Sequence, residues 1–187
     1  MKPTKSSQQV IRLAPIGRVE TELLTRLMER LEQTFNGFRT KLEKPLSIQT
    51  EWYDNGRNQY NSTKILRSLS TMIKGQDMSR VLGVTPVDLY VPSLNFVFGE
   101  AECPGNVAVI STWRLDPKFY GQKDRSLLFQ RAIKEAVHEL AHTFGMTHCK
   151  DHDCVMFFSN SIYDTDQKHE KFCHGCGGLV KKIIESR

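Results

Sequence analysis

His138-Glu139-Leu140-Ala141-His142-Thr143-Phe144-Gly145-Met146-Thr147-His148 is the stretch on which the reading of this chain turns. On a helix of 3.6 residues per turn, His142 falls roughly 40 degrees around from His138, so the two imidazoles share a face and can reach one ion. Glu139 lies at roughly 100 degrees, beside that face. Gly145 can take the positive φ at which helices commonly end, and a sharp turn there can return His148 as a third ligand. Three nitrogens on a tetrahedral zinc leave one position for water, whose pKa the metal lowers to about 7. Glu139 is not needed for binding the ion. Its expected role is to take the proton of the zinc-bound water and pass it to a leaving amine, so the pattern reads as machinery for hydrolysis.

Upstream of the motif, Asp124 is placed to cap a helix running to about Phe144. Its apolar positions Phe129, Ile133, Ala136, Val137, Leu140 and Phe144 form one arc centred roughly 220 degrees from His138. Such a helix buries its back and aims its front at a metal. Further back, the expected order is a strand over 10–16, a helix over 21–35 and a strand over 46–53. A second helix follows, capped by Ser62 and stopped by Gly75, then a strand over 87–91. Strands over 95–101 and 106–112 flank Glu102-Cys103-Pro104-Gly105 as a hairpin. These elements amount to a mixed sheet backed by two helices. Residues 1–9 carry no apolar periodicity and are expected to be a flexible tail, leaving 10–187 as a single domain. Within it, 10–145 form an upper part with the active-site helix and 146–187 a lower part.

Of 187 residues, 39% are hydrophobic and 25% charged, the balance of a globular domain rather than a disordered chain. No apolar run is long enough to span a bilayer, and no apolar signal-peptide core follows the polar start, so a cytoplasmic protein with no membrane partner is expected. The net charge of +5 is spread along the sequence, with Lys181-Lys182 the longest basic run. That distribution argues against nucleic acid as the main partner.

Four of the five cysteines fall between 149 and 176, as two close pairs, Cys149 with Cys154 and Cys173 with Cys176, separated by 18 residues. The spacing suits a closed four-cysteine zinc site that contributes folding free energy. Two disulfides, favoured in an exported protein, and a redox C-x-x-C are the other readings of the same residues. Cys103, in the hairpin turn, is expected to be an idle free thiol. Asp151 and Asp153 are read as turn formers, and His152, His169 and His174 as solvent-exposed.

The motif through His148, with Met156 eight residues later, resembles the metzincin metallopeptidases. Cys149 directly after the third histidine, Cys154 just before Val155-Met156, and the later Cys173-His174-Gly175-Cys176 resemble the archaemetzincin family in particular. The resemblance implies an α/β metzincin-like zinc-peptidase domain with a mixed sheet, an active-site helix and a C-terminal part stapled by zinc. It implies His138, His142 and His148 as catalytic-zinc ligands, Glu139 as general base and acid, and Met156 as the turn residue beneath the metal. All four cysteines would hold a second zinc, making two per chain, and the substrate would be a peptide or protein. It further implies an edge strand, here 95–101, that pairs with an extended substrate. Phe158 stands where some metzincins place a tyrosine near the metal, and Tyr163 reads as an ordinary packed or surface residue. A non-catalytic zinc-stabilised protein-binding or regulatory module on the same fold is the alternative, and a zinc-stapled nucleic-acid-binding module a third reading.

Overall fold

A computed structural model describes residues 9–73 and 79–186. Of the tail expected over 1–9, residues 1–8 lie outside the described residues, as does the helix stop at Gly75, while Gln9 already belongs to a strand. Strand β1 (Gln9–Pro15) is followed by helix α1 (Thr21–Thr34), β2 (Phe38–Leu42), β3 (Tyr53–Asp54), β4 (Gln59–Asn61) and α2 (Ser62–Ser70). Then come β5 (Arg80–Thr85), β6 (Leu89–Tyr90), β7 (Gly99–Ala101), β8 (Val107–Ser111), α3 (Ser126–Thr143), α4 (Ile162–Gln167) and α5 (His174–Glu185).

The main sheet has the order β2-β1-β5-β8-β7, parallel throughout except for β7, which runs antiparallel to β8 at one edge. Because side chains alternate along a strand, one sheet face carries Ile11, Leu13, Leu82, Val84, Ala108 and Ile110 into a core shared with α1 and α3. The opposite face carries Ala14, Ile16, Val81, Val107 and Val109 against Ile65, Leu66 and Leu69 of α2. A small second sheet, β3-β4-β6, flanks this side. Val155, Met156 and Val180 join the α1/α3 core, so the C-terminal part packs on the same apolar mass as the active-site helix.

The order of elements agrees with the sequence reading, with several corrections. Beginning at Gln9, β1 pairs with Phe38. The strand expected over 46–53 is reduced to a bridge from Leu46 to Ile16, a single 3-10 turn at Thr50–Trp52 and two residues of β3. The strand expected over 87–91 is the two-residue β6. The strand expected over 95–101 is regular only from Gly99, with Val97 bridging to Leu89. Asn61, not Ser62, caps α2: its side chain accepts from the Lys64 N–H at 3.0 Å, while the Ser62 hydroxyl donates to the Tyr90 carbonyl.

Several elements, among them β2, the three-residue β4, β5 and α4, have no counterpart in the expectation. The central strand β5 is buried along its whole length, which erases alternation, and Gly83 interrupts its apolar run. A Cβ at Gly83 would lie 2.7 Å from Leu69 Cδ1, so the glycine is what lets α2 pack on the sheet. β2 is mostly exposed, and α4 is only six residues long.

α4 is held to α3 by Arg131, whose nearly inaccessible guanidinium donates to both Asp166 carboxylate oxygens at 2.7 and 2.8 Å. Asp166→Ala would leave that charge buried without its carboxylate. It should lower stability by about 3 kcal/mol, read as a shifted urea midpoint at constant slope.

Candidate metal centre and active-site cleft

α3 starts one residue later than expected, with Arg125 rather than Asp124 at its N-cap, although the Asp124 carboxylate accepts the Ser126 N–H at 2.9 Å. It ends in a Schellman turn. Gly145, at φ +86°, donates its N–H to the His142 carbonyl at 2.8 Å, and the Met146 N–H reaches the Ala141 carbonyl at 3.3 Å. The turn carries the chain back toward the helix, so His148 meets the other two imidazoles. One ring nitrogen from each of His138, His142 and His148 lies within 4.8 Å of the others.

Two backbone carbonyls orient the helix-borne rings. His138 Nδ1 is 2.8 Å from the Val155 carbonyl, and His142 Nδ1 is 2.7 Å from the Met146 carbonyl. A carbonyl only accepts, so each Nδ1 carries the proton and each Nε2 presents a lone pair. The two Nε2 atoms stand 3.0 Å apart. Facing lone pairs at that range repel unless a cation lies against both. Two nitrogens on a tetrahedral zinc would be about 3.3 Å apart, so the donor set fits zinc. Burial holds all three imidazoles below their usual proton affinity, His138 well below, with Lys168 and His142 adding to the effect there. Each shift favours the neutral ring, the form a metal would require.

Glu139 is buried beside this group. Burial first, and the Glu135 carboxylate second, push its carboxyl well above the usual carboxylate range. A dication next to it would act in the opposite sense. Met156 is fully buried, and its carbonyl accepts the Cys149 N–H at 2.9 Å.

The four cysteine sulfurs of Cys149, Cys154, Cys173 and Cys176 also lie within 4.8 Å of one another. Cys149 Sγ and Cys173 Sγ are 3.9 Å apart, close to the roughly 3.8 Å expected of two sulfurs on one tetrahedral zinc and well beyond a disulfide bond. The Cys176 backbone N–H favours the thiolate at Cys173, while burial opposes ionisation of Cys154 and Cys176. Four thiolates so close would repel one another without a cation between them. Among the described residues, these two clusters are the ones able to hold a metal; His152, His169 and His174 are exposed and belong to neither.

The profile of Peptidase family M54 matches residues 21–182. The chain belongs to this family, the archaemetzincins. The archaemetzincin of Pyrococcus furiosus is 44% identical over 183 residues, covering 95% of this chain and 94% of its own. The crystal structure of archaemetzincin from Methanopyrus kandleri superimposes with a TM-score of 0.84 at 36% identity, covering 99% of both chains. That of a zinc-dependent peptidase from Methanocorpusculum labreanum gives 0.80 at 32% identity, over 91% of this chain and 99% of its own. The chain is therefore a zinc metallopeptidase of mixed α/β fold acting on peptide or protein substrates, as the motif implied.

Around the histidines the archaemetzincin fold leaves a cleft of about 560 Å³, walled by β7, Thr63 and Phe158 and floored by the imidazoles and Glu139. The Phe158 ring packs 4.8 Å from that of His148, so a phenyl group rather than a phenol stands at this wall. Tyr163 is two-thirds exposed on α4. Cys103 is exposed on the cleft wall, with its sulfur 3.6 Å from the Met146 carbonyl.

Gly99 is a functional position that the motif reading passed over. A Cβ there would lie 2.7 Å from both Glu139 Cγ and the Val109 carbonyl oxygen, so only glycine lets edge strand β7 run this close to the acid. The available signal was a glycine inside a strand, which marks close backbone approach. Gly99→Ala should displace Glu139 while sparing the three histidines. Zinc content by elemental analysis should hold, and the rate of peptide cleavage should fall by about a hundredfold.

Proposed function

We propose that this M54 peptidase hydrolyses peptide bonds at a zinc held by His138, His142 and His148, with Glu139 moving the protons. The observation that carries this reading is the pair of Nε2 lone pairs 3.0 Å apart, both rings tied through Nδ1 to carbonyls, with Glu139 adjoining in the same cleft. When bound, zinc supplies Lewis acidity, lowering the pKa of a water to about 7. The chain's own residues do the rest. Val155 and Met146 hold two imidazoles in one tautomer and orientation. Glu139, shielded from bulk water and with raised proton affinity, accepts a proton from the attacking water and delivers it to the departing amine. Met156 closes the apolar floor beneath the histidines.

β7 is a half-buried strand at the sheet edge in the cleft wall, and in this reading an extended substrate adds to it by main-chain hydrogen bonds. The cleft then lies between an upper part, 10–145, and a lower part, 146–187. A second zinc on the four cysteines staples the lower part, a reading supported by the sulfur spacing and by the need to compensate four thiolates. Thiol ligation of this kind suits a reducing compartment such as the cytoplasm. The non-catalytic binding module has less support, since a module that only binds has no use for a buried carboxylate in the cleft beside three histidines.

A diverse peptide mixture analysed by mass spectrometry tests the reading. Wild type should cut it and Glu139→Ala should not, at equal zinc content. Equal cleavage by both would remove Glu139 from the mechanism. For the cysteine centre, Cys173→Ser purified under reducing conditions should lose about one zinc equivalent per chain and the order of the C-terminal part. Undiminished zinc in that variant would sink the second site.

A further inference from the structure

A cavity of about 220 Å³ opens beside the reacting centre, with His138 and Glu139 both in its wall. It extends along α3 toward Glu135, one turn before Glu139. Leu94, Phe96, Phe98 and Phe158 form an apolar collar, Phe96 and Phe98 meeting edge to face at 5.2 Å. The far end differs in character. Glu135 is 3% exposed, and its Oε1 takes both the Lys168 ammonium at 3.0 Å and the Thr165 hydroxyl at 3.3 Å. Glu135 itself stands in the cavity wall. Lys168 is buried behind Glu135, held also by the Phe157 carbonyl at 3.3 Å, and does not line the cavity. The ion pair thus shows the cavity its carboxylate side. Next to it, the buried Ser159 Oγ lacks a partner.

We propose that this cavity receives the substrate side chain adjoining the scissile bond, and that Glu135 and Ser159 select one ending in N–H donors. The inference rests on the peptidase reading above and names its substrate class. A carboxylate in the wall of an apolar channel, beside a buried hydroxyl without a partner, offers acceptors to an incoming donor. A long side chain with an amide, ammonium or guanidinium tip lays its methylenes along the aromatic collar and donates at the end. An aliphatic side chain fills the collar but leaves both acceptors stranded, and a carboxylate meets Glu135 head on. Neither residue touches the reacting atoms; both determine specificity.

The test is a binding measurement, independent of turnover. Zinc-loaded protein is titrated calorimetrically with short peptide hydroxamates, extended on either side of the metal-binding group and carrying Arg, Lys, Gln, Leu or Glu next to it. In one of the two series, the donor-tipped members should bind about tenfold or more tighter than the Leu member, with Glu weakest. Arg and Lys ahead of Gln identifies a basic-residue pocket, and Gln level with them a pocket that reads donors alone. Ser159→Ala should reduce the preference about fivefold. Glu135→Gln combined with Lys168→Met, which removes the ion pair without stranding a charge, should shift the preference to Leu while Leu-hydroxamate affinity holds. Equal affinity across the set, or tightest binding by Leu or Glu, overturns the proposal with the metal site intact. A preference for donors that survives both variants overturns the assignment to Glu135 and Ser159. Failure of every member to bind overturns the zinc-peptidase reading itself, and the selectivity with it.

Discussion

Two carbonyl oxygens, those of Val155 and Met146, govern the chemistry of α3. A helix can place two imidazoles on one face, but each ring remains free to rotate and to choose its tautomer. An acceptor at Nδ1 removes both freedoms. Met146 can do this because the Schellman turn at Gly145 folds it back under His142. Val155 can do it because its own N–H is held by the Lys171 carbonyl at 2.9 Å, between Cys154 and the second cysteine pair. The orientation of His138 therefore depends on chain that lies among the cysteines. His148 does too, since Cys149 directly after it donates to the Met156 carbonyl. The histidine and cysteine clusters share their backbone, and neither arrangement stands apart from the other.

What the sequence revealed follows from where the determinants lie. The clustering of the three histidines was legible because helical period and a terminal glycine are local signals, and α3 forms as its pattern requires. The cysteines were legible through spacing. β5 was not, since a strand covered on both faces shows no period and Gly83 weakens its run. The link between Gly99 and Glu139 was out of reach for another reason: it is a close approach of two segments far apart in sequence, made visible only by building the missing Cβ. The pairing of Glu135 with Lys168 is of the same kind, since 33 residues separate them and only the end of α4 brings the lysine against α3.

The sheet's two edges differ in a way that bears on what the molecule can associate with. At one edge, β2 presents exposed Arg39 and Lys41. At the other, β7 offers only three residues before the chain turns at Glu102. An edge strand is a template for any extended chain, including a second copy of the same protein, and both charge and shortness are ways of refusing long partners. Positive side chains would meet like charges across a β2–β2 pairing. The cleft edge carries one charged residue, Glu100, whose carboxylate accepts the Thr63 hydroxyl at 2.8 Å. The brevity of this edge sets a ceiling on the pairing: a few backbone hydrogen bonds can hold a single extended strand briefly, but the ladder is too short to seed a growing sheet. A strand of three residues at this edge thus limits both the length and the lifetime of whatever could pair with it.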